Sequence, residues 1–536
     1  MNEVPITKVY LLDVPLEADY KNTLYFANAS SQQSYFQSKV IGSYSYNDFT
    51  YQRKDKIIRI PEIYDNICHC NYVMYQNTNY SNKWFYAFVT DLEYINDGRT
   101  NLHIKTDVIQ TWLFDYNLKT SFVEREHTND DTIGNNLLPE NLELGEYICN
   151  SYMKDYNLND NNTDLCYILG TTHMILPNAT PPKEYGGGLY NGIYSGVMYY
   201  RFSSVQDIDP IIKAYAEAGA NDAITGLFMA PKVLADNLLL NSLVNDSTEP
   251  YSYDISVSKT YGLGGYIPHN NKLKTYPFCY LLVDNNNGAT VKYDYEYFNS
   301  TACNFTVKGV LTPGCSIRMT PKNYKGVTLN EIEGINLGKY PTCAYPVDMY
   351  TNWLTQNAMN LSVATQRAEY KGASGGFKTG MGTVLAVATG GIMGLDQIGS
   401  GIDQMVDAAF DIQSIMAEKY QHSLEPPQAR GNLNAGDVIT ASDNNCFHFY
   451  NMSITSQFAQ RIDKYFDMFG YQTNMVKIPN SNHRSKWWYT KTVSCNIDGN
   501  VPQNDLLEIK KCYDSGITFW RNASEIEDYS LSNGIV

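Results

Sequence analysis

Hydrophobic positions in the first third of the chain fall in short runs rich in β-branched and aromatic residues, with Asn, Asp and Gly clusters between them. Thr7 to Leu12 (TKVYLL), Lys56 to Ile60 (KIIRI), Trp84 to Val89 (WFYAFV) and Leu102 to Lys105 read as strands. Asn96-Asp97-Gly98 reads as a hairpin turn. Pro139 and Gly145, in NNLLPENLELGEY, mark a loop or domain edge. From about 150 to 250 the pattern is mixed: Leu165 to Leu169 fits a strand, a glycine-rich loop follows, and Asp207 to Ala218 fits a short helix. This stretch reads as an inserted α/β lobe. Strands resume at Tyr251, and Phe278 to Asp284 and Thr290 to Phe298 flank Asn286-Asn287-Gly288, the signature of a type I′ hairpin.

Beyond Pro346 the period changes. Leu354, Ala358, Leu361 and Ala368 recur at helical spacing, as do Ile402, Met405, Val406, Ala409, Ile412 and Met416, and Pro426-Pro427 ends the second series. Between them Gly372 to Ile402 is glycine-rich and apolar; Thr379 to Leu395 reads TGMGTVLAVATGGIMGL, without a charge. Glycine costs backbone entropy, so this run suits a pliable arm better than a packed core helix. Phe377, Met381, Val384, Leu385, Val387, Ile392, Met393, Leu395 and Ile398 supply its apolar surface. Gly372, Gly375, Gly376, Gly390, Gly391, Gly399 and Gly401 are its candidate hinges. Fully helical, Thr379 to Leu395 would reach about 25 Å, short of a constitutive membrane span. Two readings stand: tight small-residue packing in a buried hairpin, or a membrane-active loop. After the arm, Ser456 to Phe469 reads as an amphipathic helix stopped at Gly470, and Val501 to Ser515 as another, with Pro502 near its start and Gly516 past its end.

The resulting fold class is mainly β with α additions: β-barrel-like domains, an inserted mixed lobe and a helix–loop–helix arm. The expected divisions are 1–149, 150–250, 251–350, 351–425 and 426–536. Composition fits: 45 Tyr, 20 Phe and 6 Trp supply aromatic strands throughout 536 residues. The net charge of −16 argues against a grip on nucleic-acid phosphates, which needs clustered Lys and Arg. Eleven cysteines lack a framework spacing, as in a protein made in a reducing cytosol. The start, MNEVPITKVYLLDVPL, lacks the basic and apolar blocks of a secretory signal, so none is expected.

Candidate chemistry is thin. Cys68-His69-Cys70 is a compact Cys–His group, but zinc sites want two such pairs, and on the strand expected here neighbours point to opposite faces. Gly186-Gly187-Gly188 lacks the Lys-Ser/Thr of a phosphate loop. Asp155 to Asp164 lacks the sixth-position glycine and twelfth-position glutamate of a calcium loop. Glu124-Arg125-Glu126 offers carboxylates, yet nothing marks one as acid and another as base. The expectation is therefore no enzyme, no metal and no cofactor.

Several longer strings occur in a fixed order: NYSNKWFYAFVTDLEY (Asn79 to Tyr94), DVIQTWLFD (Asp107 to Asp115), FVEREH (Phe122 to His127), NNKLKTYPFCYLLVDNNNG (Asn270 to Gly288), PPQARGN (Pro426 to Asn432), YFDMFGYQTNMVKIPN (Tyr465 to Asn480) and DSGITFW (Asp514 to Trp520). Together they resemble the distal tail knob proteins of small, protein-primed, short-tailed phages, the Salasmaviridae and Rountreeviridae, over nearly the whole chain. The resemblance implies a virion protein of the phage tail, a homohexameric ring that contacts other tail proteins, and a lumen through which genomic DNA passes without specific binding. It further implies that a glycine-rich hydrophobic loop plugs this tube and then enters the host cytoplasmic membrane among its lipids. By position before PPQARGN and by composition, that loop corresponds here to Gly372 to Ile402. Two other functions are weighed against it: a glycan-binding adsorption protein, with Tyr185, Tyr190 and Tyr194 stacking on cell-wall sugars, and a peptidoglycan-degrading tail enzyme.

Overall fold

A computed structural model describes residues 7–46, 51–52, 56–77, 82–155, 157–158, 165–172, 175, 189–190, 193–194, 196–218, 220–235, 246–247, 251–310, 315–343, 345–347, 417, 420–421, 424, 428–430 and 446–536. The protein is mostly β. Its first seven-stranded sheet runs Val40–Tyr46, Thr7–Leu12, Tyr72–Asn77, Trp84–Asn96, Arg99–Thr106, Ile57–Ile60, Tyr51–Gln52 in spatial order, antiparallel throughout. Alternation of side chains sorts each strand between two cores. Val9, Leu11, Val73, Tyr75 and Ala87 enter one core; Leu12, Tyr72, Met74, Tyr86 and Phe88 enter the other. The sheet curls into a half-barrel. Ile41, Tyr44 and Tyr46 on one edge strand pack on the same core as Ile58 and Ile60 from the far side. Across that gap, burial and the neighbouring Glu62 push the Tyr46 phenol pKa up.

The second core joins the two ends of the chain. A five-stranded sheet orders Asn22–Leu24, Ile517–Trp520, Trp487–Val493, Ser121–Glu126 and Tyr471–Lys477. Asn22–Leu24 lies parallel to Ile517–Trp520, with Leu24 opposite Trp520. Helices Ala29–Ser38, Val108–Trp112 and Gln503–Ser515 pack on the same core through Phe36, Ile109, Ile509 and Tyr513. Asp107 caps the second helix, accepting from the N–H groups of Ile109 (3.1 Å) and Gln110 (3.0 Å) and from the Tyr72 hydroxyl (2.8 Å). Burial, opposed by these bonds, raises its pKa to about 6.

The middle of the chain builds a third core from two sheets. One orders Tyr147–Lys154, His448–Ile454, Cys279–Asp284 and Thr290–Tyr293; the other orders Tyr251–Ser258, Ala302–Val310, Ser316–Tyr324 and Val327–Leu329. Helix Ser456–Phe469 closes this core with Ala459, Ile462 and Phe466, and Gly470 ends it at φ 64°. A fourth, smaller core lies between helix Val205–Glu217 and the sheet Met198–Phe202, Leu165–Thr171, Ile224–Pro231, Thr342–Cys343. The strand Tyr147–Lys154 straddles the 149/150 division drawn from sequence, and residues after 446 are shared between the second and third cores.

Most expected elements are present, with three differences. The strand starting at Thr290 stops at Tyr293, because Tyr295 turns inward in a 3-10 turn, Tyr295–Tyr297, and donates its hydroxyl to buried Asn451 (2.5 Å). Asn286-Asn287-Gly288 is not a two-residue turn. Asn285 closes a longer loop, its amide donating to the Ala289 carbonyl and its side-chain oxygen accepting from the N–H groups of Asn287 and Ala289. Cys68-His69-Cys70 lies not on a strand but in the turn after helix Tyr64–Ile67, where the Cys70 N–H donates to the Ile67 carbonyl. The helices expected over Trp353 to Tyr370 and Ile402 to Tyr420 lie outside the described residues, apart from helical Ala417 and Tyr420.

Candidate functional site at the base of the arm

Every residue singled out in the arm, from Gly372 to Gly401 with the nine apolar positions among them, lies outside the described residues. So do Tyr185 and Gly186 to Gly188, while Tyr190 and Tyr194 belong to a small hairpin pairing Leu189 with Tyr194 and Tyr190 with Ile193. What is described is the place where the arm leaves the body and returns. Tyr345–Val347 and Gln428–Arg430 form an antiparallel ribbon, with Tyr345 opposite Arg430, Pro346 opposite Ala429 and Val347 opposite Gln428. The whole of 348–427 is thus held between paired strands. Pro346 has no N–H to give, which a two-stranded ribbon tolerates because each strand has a free edge.

The clasp is fixed to the fourth core. Tyr345 is buried there, and its hydroxyl donates to the Ile224 carbonyl (3.0 Å). Just upstream, Thr342–Cys343 pairs with Leu227 and Phe228, and the Met229 N–H donates to the Pro341 carbonyl (2.9 Å). The sequence signal for this clasp was weak: YPV and QAR are short, and only their register across the arm gives them meaning.

Sequence reasoning also missed a buried polar seam between the second and third cores. Glu140, on the irregular stretch after Glu126, makes ion pairs with Lys272 (2.8 Å) and Arg125, and accepts from the Gln472 N–H (2.8 Å). Arg125 also donates to the Gly470 carbonyl (2.7 Å). His127 accepts at Nδ1 from the Tyr489 N–H (2.8 Å), so Nε2 carries the proton it donates to the Asp467 carbonyl (3.1 Å). Burial holds this imidazole well below its usual pKa, and it stays neutral. A Cβ on Gly470 would stand 2.2 Å from the Glu126 carbonyl oxygen, so the close approach at the seam requires glycine. The visible signal was the charged run in FVEREH.

Among the described residues, one group of side chains could face a metal: His269, Asp463 and Asp467. Asp463, however, already accepts from the Tyr266 hydroxyl (2.7 Å), the His269 N–H (2.7 Å), and both the N–H (3.1 Å) and side-chain amide (2.8 Å) of Asn270. Those four donors occupy the lone-pair sites of a carboxylate. The arrangement straps the 266–270 loop to helix Ser456–Phe469 and does not fit a cation. Asp467 pairs with His269 Nδ1 (3.1 Å) and raises its pKa. Cys68, His69 and Cys70 do not join a metal-competent group among the described residues. All eleven cysteines are free thiols.

A curled sheet that shares a core with the strands of the chain's C-terminal end is the fold of a phage tail structural protein, as known families show. Residues 6–117 match the N-terminal part of caudoviral major tail proteins. Residues 243–534 match the C-terminal domain of the Bacillus phage phi29 tail knob protein gp9, and the chain belongs to that tail knob family. Relatives of the same description occur in Bacillus phage B103 (25% identical), phi29 (25%) and PZA (27%), each matched over 98% of this chain and 97% of its own length. The tail knob protein gp12 of bacteriophage C1 has a similar fold, with a TM-score of 0.66 at 16% identity, covering 99% of this chain and 100% of that one. The protein is a structural component of the virion tail.

Proposed function

We propose that six copies form a ring at the distal end of the tail, that DNA is ejected through its lumen, and that Gly372 to Ile402 fills this lumen before entering the host cytoplasmic membrane. The clasp carries the reading. A segment whose centre, Thr379 to Leu395, carries no charge leaves and returns through one paired ribbon; it is anchored at both ends, and whatever it does it does as a loop. Phe377, Val384, Leu385, Val387, Ile392, Met393 and Leu395 stabilise either the plugged or the lipid-bound state at about 25 cal/mol per Å² removed from water. The hinge glycines keep the backbone pliable between those states. A single copy binds lipid weakly; six on one ring bind together. An acidic chain leaves DNA unheld in passage. In this reading 1–149 begins the tube domain, 150–250 is a mixed lobe, 251–350 is a β domain, 351–425 is the arm, and 426–536 closes the tube.

The test compares the full chain with a variant lacking 372–402 on dye-loaded vesicles at neutral and mildly acidic pH. Leakage from the full chain alone supports the reading. Equal leakage, or none from either, sinks it.

A further inference from the structure

The outer face of the five-stranded sheet carries an apolar ladder that no described element covers. Phe122 stands between Val476 and Val493 on the flanking strands, in register with both. The three are 39%, 70% and 48% exposed, and Ile478 (57%) extends the patch just past the edge strand Tyr471–Lys477. With ordinary side-chain areas these exposures leave roughly 400 Å² of apolar surface, within the range of a monomer's largest patch. One side of a standard protein interface covers about 800 Å², somewhat over half of it apolar. The ladder supplies most of that apolar share.

We propose that this ladder is one side of the contact between neighbouring copies of the chain. The inference rests on the ring reading above and names a surface for it. Local charge favours a second copy over other occupants. Two chains of net charge −16 repel, and can meet only where carboxylates are neutralised. Beside the ladder Glu124 is paired with Lys491 (2.7 Å), and Asp498 with Lys119 (3.5 Å). This balance makes a polar rim with no net attraction for an anionic lipid surface. The contact is made by side chains and not by strand addition. The pairing shifts register between Val123 and Arg125, and Asn474 sits at φ 47°, so a bulge blunts the edge strand for backbone pairing.

The test is light scattering on the full chain across micromolar concentrations, with Val476→Glu and Val493→Glu as variants and Ile267→Glu, 84% exposed and in the 266–270 loop, as control. Expected is a multimer for the wild type and the control, and at least a tenfold weaker association for both ladder variants, with unchanged circular dichroism and unfolding midpoint. Ladder variants that assemble like the wild type overturn the inference alone. So does a lowered unfolding midpoint with assembly intact, which would place the chain's own residues over the ladder. A wild type that stays single at every concentration overturns the ring reading and this surface with it.

Discussion

The body that joins the chain ends and the lobe that carries the arm are held together by different means. In the first, Trp487, Trp488, Phe519 and Trp520 mesh with Phe36, Tyr72 and Phe88; Trp487 and Trp520 lie 5.0 Å apart, and Phe36 stacks on Tyr72 at 5.4 Å. In the second, Tyr200, Phe202, Tyr215 and Tyr345 share a core with Leu169, Ile208, Ile211, Ile212 and Ile224 under a single helix, drawn from neighbouring segments, and the clasp is tied to it through the Tyr345 hydroxyl and a short ribbon. Large interlocked rings bury 150–250 Å² each and tie distant segments into one cooperative unit. A small lobe with few long-range ties opens locally at lower free energy. The interlocked part joins the two chain ends, and the part with fewer distant ties is where the clasp is attached.

Four experiments would break or sharpen this contrast. Trp487→Ala should cost the most, about 3–5 kcal/mol, since it empties a fully buried site and leaves the Asp467 carbonyl without its indole donor (2.7 Å). Denaturant unfolding should show a global loss; a loss confined to one segment would deny the body's cooperativity. Next comes Asp107→Asn. The folded pKa of about 6 lies above the unfolded value near 3.8, so this carboxyl's contribution is full below pH 4 and is lost as pH rises to 6. The variant should gain roughly 2–3 kcal/mol on the wild type between pH 4 and pH 7. A pH-independent difference would show that Asp107 titrates normally.

Gly470→Ala should cost about 2 kcal/mol through its left-handed backbone and its clash with the Glu126 carbonyl. The loss should appear as weakened coupling between the second and third cores, read as two unfolding steps where there was one. Smallest is Tyr345→Phe, about 1 kcal/mol for one neutral hydrogen bond. Hydrogen exchange at 345–347 and 428–430 should quicken while the global midpoint holds. A matching fall in both would mean the lobe is no softer than the body.

Local elements were legible wherever periodicity and punctuation agreed. TKVYLL alternates between two cores, and SQFAQRIDKYFDMF ends at a glycine whose φ only glycine adopts easily. Asn286-Asn287-Gly288 misled because the loop is governed by the side chain of Asn285, which a turn signature does not include. Pairing between Asn22–Leu24 and Ile517–Trp520 could not be read, since nothing in three residues announces a parallel partner so far along the chain. Buried Glu140 looked like any loop carboxylate until Lys272 and Arg125 were brought to it. The arm's composition was plain, whereas its anchoring depended on a register only the fold supplies.

The parallel match of Asn22–Leu24 with Ile517–Trp520 also sets a timetable for synthesis. At about 5–20 residues per second, this early strand waits on the order of half a minute to two minutes for its partner to leave the ribosome. During that interval the greasy arm has already emerged, and Phe36 and Tyr72 still lack the tryptophans that will cover them. A nascent chain in that condition is a natural client for a holding chaperone, and a stop codon a few dozen residues early would strand it there.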